Sequence, residues 1–203
     1  EHKIDERTKE LSVLNERLKE VSERDELTGL YNRRKFNEFL ENEYARANRD
    51  DSCFTIILTD VDSFKLYNDN YGHQKGDECL ASVAATMQTC LPRSTDLIAR
   101  YGGEEFVIVL PSTGVDGAFK VAENIRQRIL DDCIPHEYSE VEGTSCITVC
   151  LGVEVYAAGD DKDISDVLEQ ADQRLYAAKT EGRNRTIMPE TGSTTFHLTS
   201  QLS

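Results

Sequence analysis

The sequence predicts an α+β domain: a mostly antiparallel central sheet flanked by helices, with a charged helix ahead of it. Three observations carry this. Apolar runs at 54–59 and 105–110 have the length and β-branched content of buried strands. Gly102-Gly103 joins the second run to another at 97–101, a hairpin signal, because tight hairpin turns need positive φ. Around these strands lie stretches with apolar residues at helical spacing. The resulting order is helix, strand, helix, hairpin, helix, strand, helix, which calls for helices on one or both faces of the sheet.

Residues 1–24 read as one helix. Ile4, Leu11, Leu14, Leu18 and Val21 follow a heptad seam, and most other positions are Glu, Lys or Arg. No second apolar stripe explains docking on the chain's own domain, so a two-chain coiled coil is expected. Thr28-Gly29 breaks that helix and Asn32 is placed to cap the next. The new helix runs to about Asn48, with Phe36, Phe39, Leu40 and Tyr44 on one face. The strand at 54–59 follows, then a helix at 74–91 with Leu80, Val83, Ala84 and Met87 inward. After the hairpin come a helix at 114–130, a strand at 147–156 and a helix at 163–180 that ends at Gly182, a C-cap residue. A short strand at 185–188 precedes a Thr/Ser-rich tail at 189–203, which has little to bury. The expected domains are thus 1–24, 25–188 and 189–203.

The 203 residues carry 38 acidic and 23 basic side chains, a net charge of −15. The first and last segments each contribute −1, which leaves −13 on residues 25–188. So acidic a chain is a poor general binder of phosphate backbones, which excludes a nucleic-acid coat. A small phosphate-bearing ligand needs only a local positive site and is not excluded. No apolar run approaches the ~18 residues of a membrane span, and no secretory signal opens the chain. A chain that opens on Glu1 rather than Met is expected to be a piece of a longer protein. The six cysteines form no C-x-x-C pair and are expected to be reduced thiols, as in a cytosolic protein. The four histidines are scattered and give no metal site.

Asp60-Val61-Asp62 ends the first apolar strand, and Glu104-Glu105 directly follows the hairpin glycines. If the hairpin lies beside that strand, four carboxylates converge at one sheet edge. Like charges packed together are costly unless a cation neutralises them. Hard oxygen donors select Mg²⁺ or Mn²⁺, and the glycines let a phosphate approach the backbone closely.

Gly102-Gly103-Glu104-Glu105-Phe106 resembles the signature of GGDEF-domain diguanylate cyclases, in its GGEEF form. Four further segments are similar to the family in order and spacing: Asp25-x-Leu-Thr-Gly-Leu-x-Asn-Arg-Arg34, the run from Asp60-Val-Asp-Ser-Phe-Lys65 through Asn68 and Gly72-His73 to Gly76-Asp77, Ala99-Arg-Tyr-Gly-Gly103, and Ala171-Asp-x-x-Leu-Tyr-x-Ala-Lys179 with Gly182-Arg-Asn184. The resemblance spans residues 25–188. It implies a palm-like sheet of the polymerase and nucleotide-cyclase kind. It also implies condensation of two GTP into cyclic di-GMP and two pyrophosphates across a homodimer, with two Mg²⁺ or Mn²⁺ ions per active site.

By the same resemblance, Asp60, Glu104 and the Val61 carbonyl hold metal, and Glu105 joins the metal and phosphate site. Gly102, Gly103, Phe64, Lys65, Lys179 and Arg183 are implied at the triphosphate. Asn68 and Asp77 suit the Watson–Crick edge of guanine, whose N1–H and N2–H₂ donors adenine lacks. His73 is implied as a structural or pocket-lining residue. Arg93 and Asp96 match the family's inhibitory site for cyclic di-GMP. Asn124 stands near the position of that site's further Arg, and Arg126 lies close by. Tyr67 and Cys150 depart from the usual aliphatic residue and Ser. The implied partners are GTP, cyclic di-GMP as product and feedback inhibitor, and a second copy of the chain, with no nucleic-acid polymer and no membrane contact. The implied place is the cytoplasm, as output domain of a longer, membrane-bound receptor in one version. The competing reading is a catalytically silent module that senses GTP or cyclic di-GMP.

Overall fold

The structure, a computed structural model, describes residues 23–189. The heptad seam and the tail beyond Pro189 lie outside the described residues. Asn32 caps the first helix as its position requires, its side chain accepting from the Lys35 amide at 3.0 Å. The strands are β1 (Tyr31–Asn32), β2 (Cys53–Val61), β3 (Leu97–Gly102), β4 (Glu105–Pro111), β5 (Val149–Ala157) and β6 (Thr186–Ile187). The helices are α1 (Arg33–Arg49), α2 (Phe64–Tyr71), α3 (His73–Thr89), α4 (Val115–Asp132) and α5 (Ile164–Thr180).

One six-stranded sheet results, in the order β1-β3-β4-β2-β5-β6. The four inner strands pair antiparallel, while β1 and β6 add to the edges in parallel. The mostly antiparallel sheet flanked by helices is borne out, and helices cover both faces. Alternate residues of β2 supply the two cores. Ile57 and Val61 join Leu80, Val83, Met87 and Ile125 under α3 and α4. Phe54, Ile56 and Leu58 join Phe36, Leu40, Val167 and Leu175 under α1 and α5. Gly152 lets α5 lie directly on β5: a Cβ there would collide with the backbone of Ala171 and Leu175.

Two elements exceed the sequence reading. The helix placed at 74–91 is α3, and a separate helix, α2, precedes it, with Gly72 at φ +85° between them. The two-residue strand β1 was not expected either, since two residues give no periodicity. Among the described residues no helix is long and apolar enough to cross a membrane.

Candidate active site at the β2 exit

Asp60, near the end of the central strand, faces Glu105 of β4 on one side and Cys150 of β5 on the other. The Val61 amide donates to the Glu104 carbonyl at 3.3 Å, so the hairpin tip is stitched to the β2 exit. The tip is formed by Gly103 at φ +55°, a backbone that favours glycine. Its shape is held from below: Arg100 donates to the Gly103 carbonyl at 2.9 Å and to the Asp25 carboxylate at 3.2 Å.

The Asp60 carboxylate is nearly buried, and Lys179 of α5 places its ammonium 2.8 Å away. Burial pushes the Asp60 pKa up to about 6; Lys179 opposes this, while the charges of Glu104 and Glu105 add to it. Burial works against the Lys179 charge, but Asp60 and Glu105 hold its pKa above the usual lysine value. Three carboxylates that repel one another beside a single ammonium make a site that a cation relieves, and every donor is a hard oxygen, which fits Mg²⁺ or Mn²⁺. Among the described residues no three His, Cys, Asp or Glu side chains close on a common point. Mg²⁺ needs no such cage, since one or two carboxylates with substrate phosphates hold it.

The expected fourth carboxylate does not join. Asp62 turns inward and is 2% exposed. It accepts from the Thr148 hydroxyl at 2.7 Å, the Cys150 thiol at 2.9 Å and the Asn184 amide at 3.0 Å. Asp62 lies beyond the end of β2, so the alternation that would set it beside Asp60 no longer applies, and donors from β5 and the turn after α5 compensate its charge.

Ser63, at φ +54°, then turns the chain into α2. The first-turn amides at Phe64 and Lys65 have no acceptor within the helix, and helix ends of this kind suit anions. Fully buried His136 supports this turn, its Nε2 lying 3.2 Å from the Ser63 carbonyl. Burial holds the His136 pKa below the usual histidine value, which keeps the ring neutral. The sequence offered no sign of this role, because His136 sits in an irregular connection with no periodicity.

Asn68 projects from α2 against Gly76 of α3, where a Cβ would collide with its Oδ1. That oxygen is buried and finds no donor among the described residues. Asp77 follows Gly76 and is exposed, as are His73 and Lys65. The two expected base contacts therefore share the α2–α3 junction. Arg183, two residues past the α5 C-cap Glu181, lies 3.3 Å from Glu140.

Arg93 and Asp96 close their own turn at the far end of β3, the Arg93 amide donating to Asp96 at 2.9 Å. Five residues of strand, Leu97 to Tyr101, separate this turn from the glycine pair, roughly 17–20 Å. Arg126 is brought to Glu123, at 2.9 Å, and to the Asn184 side chain, at 3.0 Å. The cysteines need one correction. Cys133 and Cys146 form a disulfide with Cα atoms 4.9 Å apart, and the other four are free. The pairing joins the end of α4 to the approach to β5, a juxtaposition that cysteine spacing alone does not show.

The diguanylate cyclase GGDEF-domain family matches residues 22–185. The chain belongs to this family. It is 42% identical over 172 residues to a diguanylate cyclase of Vibrio cholerae, covering 85% of this chain and 51% of that protein. It is 34% identical to the response regulator PleD of Caulobacter vibrioides, over 83% of this chain and 36% of the relative. The GGDEF domain thus spans about half the length of these curated relatives, or less. Among solved structures, it is similar to the coiled coil and GGDEF domain of DgcB from Caulobacter crescentus in complex with c-di-GMP. The TM-score is 0.77 at 30% identity, over 91% of this chain and 96% of that one. The active GGEEF domain of a Vibrio cholerae diguanylate cyclase superposes with a TM-score of 0.66 at 41% identity, covering 77% of this chain and 96% of that one.

Proposed function

We propose that the chain condenses two GTP into cyclic di-GMP with release of two pyrophosphates. One arrangement supports this most directly: Asp60 stands in register with Glu105, beside the Glu104 backbone and the Lys179 ammonium, at the foot of the Ser63–Lys65 turn. Hard-oxygen acids, an ammonium and free helix amides suit a triphosphate.

Each GTP 3′-hydroxyl attacks the α-phosphorus of the other GTP. A new P–O bond forms, the bond to the β-phosphate bridging oxygen breaks, pyrophosphate leaves and the hydroxyl proton passes to solvent. Asp60 and Glu104, with the Val61 carbonyl, would hold two Mg²⁺ or Mn²⁺ ions, with Glu105 beside them. When bound, the ions stabilise the attacking and leaving oxygens. Gly102 and Gly103 leave room for the phosphates, and Lys65, Lys179 and Arg183 oppose their charge. Asn68 pairs with guanine through its amide and Asp77 accepts from the N1–H and N2–H₂ edge, while adenine, which lacks those donors, would leave Asp77 unpaired. His73 opens α3 at the edge of this pocket.

A two-fold product needs two GTP-loaded domains, so the working unit is a homodimer. The heptad seam at 1–24 raises the effective concentration of the second domain. The Arg93–Asp96 turn is the proposed site of feedback inhibition by cyclic di-GMP, while the Arg126 guanidinium is taken up by Glu123 and Asn184 instead, and the cytoplasm is the proposed compartment. The test is incubation with GTP and Mg²⁺ or Mn²⁺, with chromatography of the products. Cyclic di-GMP is expected, together with loss of activity in Glu104→Ala and Glu105→Ala variants that remain folded. GTP binding without turnover would refute the enzyme and leave a sensing module.

A further inference from the structure

Asp62 and Arg126 have a destination in common. The turn after α5 runs through Gly182 at φ +115°, Arg183 at φ +63° and Asn184 at φ +46°. Two successive non-glycine residues in the left-handed region are unfavourable and persist only where the surroundings over-determine them. Here two anchors do so. Asp62 accepts from the Asn184 amide at 3.0 Å, and Arg126 donates to the Asn184 side chain at 3.0 Å. Arg126 is itself held by Glu123 at 2.9 Å, and the Thr186 hydroxyl donates to Glu123 at 2.7 Å. Around the turn, the Arg183 amide donates to the Ala178 carbonyl at 3.0 Å, and the Leu151 amide to the Arg185 carbonyl at 2.9 Å.

We propose that Asp62 is a positioning residue: its buried carboxylate, with Arg126 as second anchor, holds the 182–184 turn so that Arg183 is presented to the substrate triphosphate. The inference rests on the triphosphate reading of the site. Its physical basis is the choice of a carboxylate. Asp62 accepts from three donors, none of them cationic: the Thr148 hydroxyl and the Asn184 amide share one oxygen and the Cys150 thiol takes the other, so an asparagine there would keep the Asn184 bond and an alanine would lose it. A buried charge so held is costly unless every bond is made. The backbone angles of residue 183 set where its guanidinium points, so relaxing the turn moves Arg183 from its place 3.3 Å from Glu140, whose amide donates to the Ser63 hydroxyl at 3.4 Å at the start of α2. Asp62 is thereby coupled to Asp60 two residues before it, and one short segment aligns both the metal ligands and a triphosphate contact.

The alternative is that Asp62 merely ties β2 to β5. The two are separated by a double-mutant cycle on the full chain. The affinity of a non-hydrolysable GTP analogue is measured calorimetrically in Mn²⁺ for wild type, Asp62→Ala, Arg183→Ala and the double variant. Melting temperatures are recorded for each. Asp62→Ala and Arg183→Ala are each expected to weaken binding about tenfold, with the double variant no weaker than either alone. A lowered melting temperature with unchanged affinity would overturn the proposal, as would penalties that multiply. If Asp62→Ala does not fold, Arg126→Gln breaks the other anchor and must show the same non-additivity with Arg183→Ala; an unchanged affinity there would also overturn it. Turnover of GTP is assayed in parallel. Analogue binding without cyclic di-GMP would defeat only the cyclase reading, while a wild type that binds no analogue would overturn both.

Discussion

The Lys179 ammonium lies 2.8 Å from the Asp60 carboxylate, which joins the last helix to the exit of the central strand. Three forces meet there. Burial raises the Asp60 pKa, Lys179 lowers it, and the neighbouring glutamates raise it again. A carboxyl poised at about 6 is ionised at neutral pH but resists losing its proton without a cation nearby.

Cation affinity should therefore depend on pH. A proton and a metal ion compete for Asp60, so Mg²⁺ or Mn²⁺ affinity should be full above pH 7 and fall by up to tenfold per unit below about 6. In the metal-free protein the raised pKa has the opposite sign for folding: its contribution is fully present below the ordinary value of 3.8 and is lost as pH rises through about 6. Calorimetric titration at pH 5.5 and 7.5 checks the first statement; equal affinities would sink it.

Gly76→Ala should damage base recognition without touching the metal ligands. The added methyl displaces the Asn68 side chain. We expect KM for GTP to rise about tenfold and discrimination against ATP to shrink. Steady-state kinetics with both nucleotides would show it, and an unchanged GTP-to-ATP ratio would refute the role of Asn68.

Asp25 should stabilise the fold only when ionised. Burial opposes its charge, but hydrogen bonds from Thr28 and the Arg100 guanidinium prevail, and its pKa falls below the usual 3.8. Its contribution is thus present above 3.8 and lost as pH falls through the lower folded-state value. Asp25→Asn should cost about 1–2 kcal/mol at pH 7 and less at pH 3. Urea unfolding at both values tests this, and an equal cost at both would contradict it.

The Cys133–Cys146 bridge predicts a thiol count. Denatured but unreduced protein should titrate four thiols, and reduced protein six. Closing a 13-residue separation should add about 3 kcal/mol of stability, to be lost on reduction. Six thiols in both samples would exclude the bridge.

Much of the site was legible because its signals are local. The Asn32 cap, the glycine turn at 102–103 and the placement of Asp60 opposite Glu105 follow from short spacings and from pairing a hairpin with an apolar strand. The family membership of the chain was likewise carried by contiguous motifs. Asp62 misled for the same reason: proximity to Asp60 suggested a shared task, while its partner Asn184 lies 122 residues away.

The sequence by itself determined the class of fold, the family and the acidic strand exit, since periodicity, turn chemistry and residue type act within a few residues of chain. Only the tertiary structure decided which acids face the site, that His136 supports the Ser63 turn across 73 residues, and that Arg126 meets Asn184 across 58. Those outcomes depend on which donors the folded chain brings to a buried carboxylate or an unpaired carbonyl. That is a matter of how the layers stack, and it leaves no local mark in the order of residues.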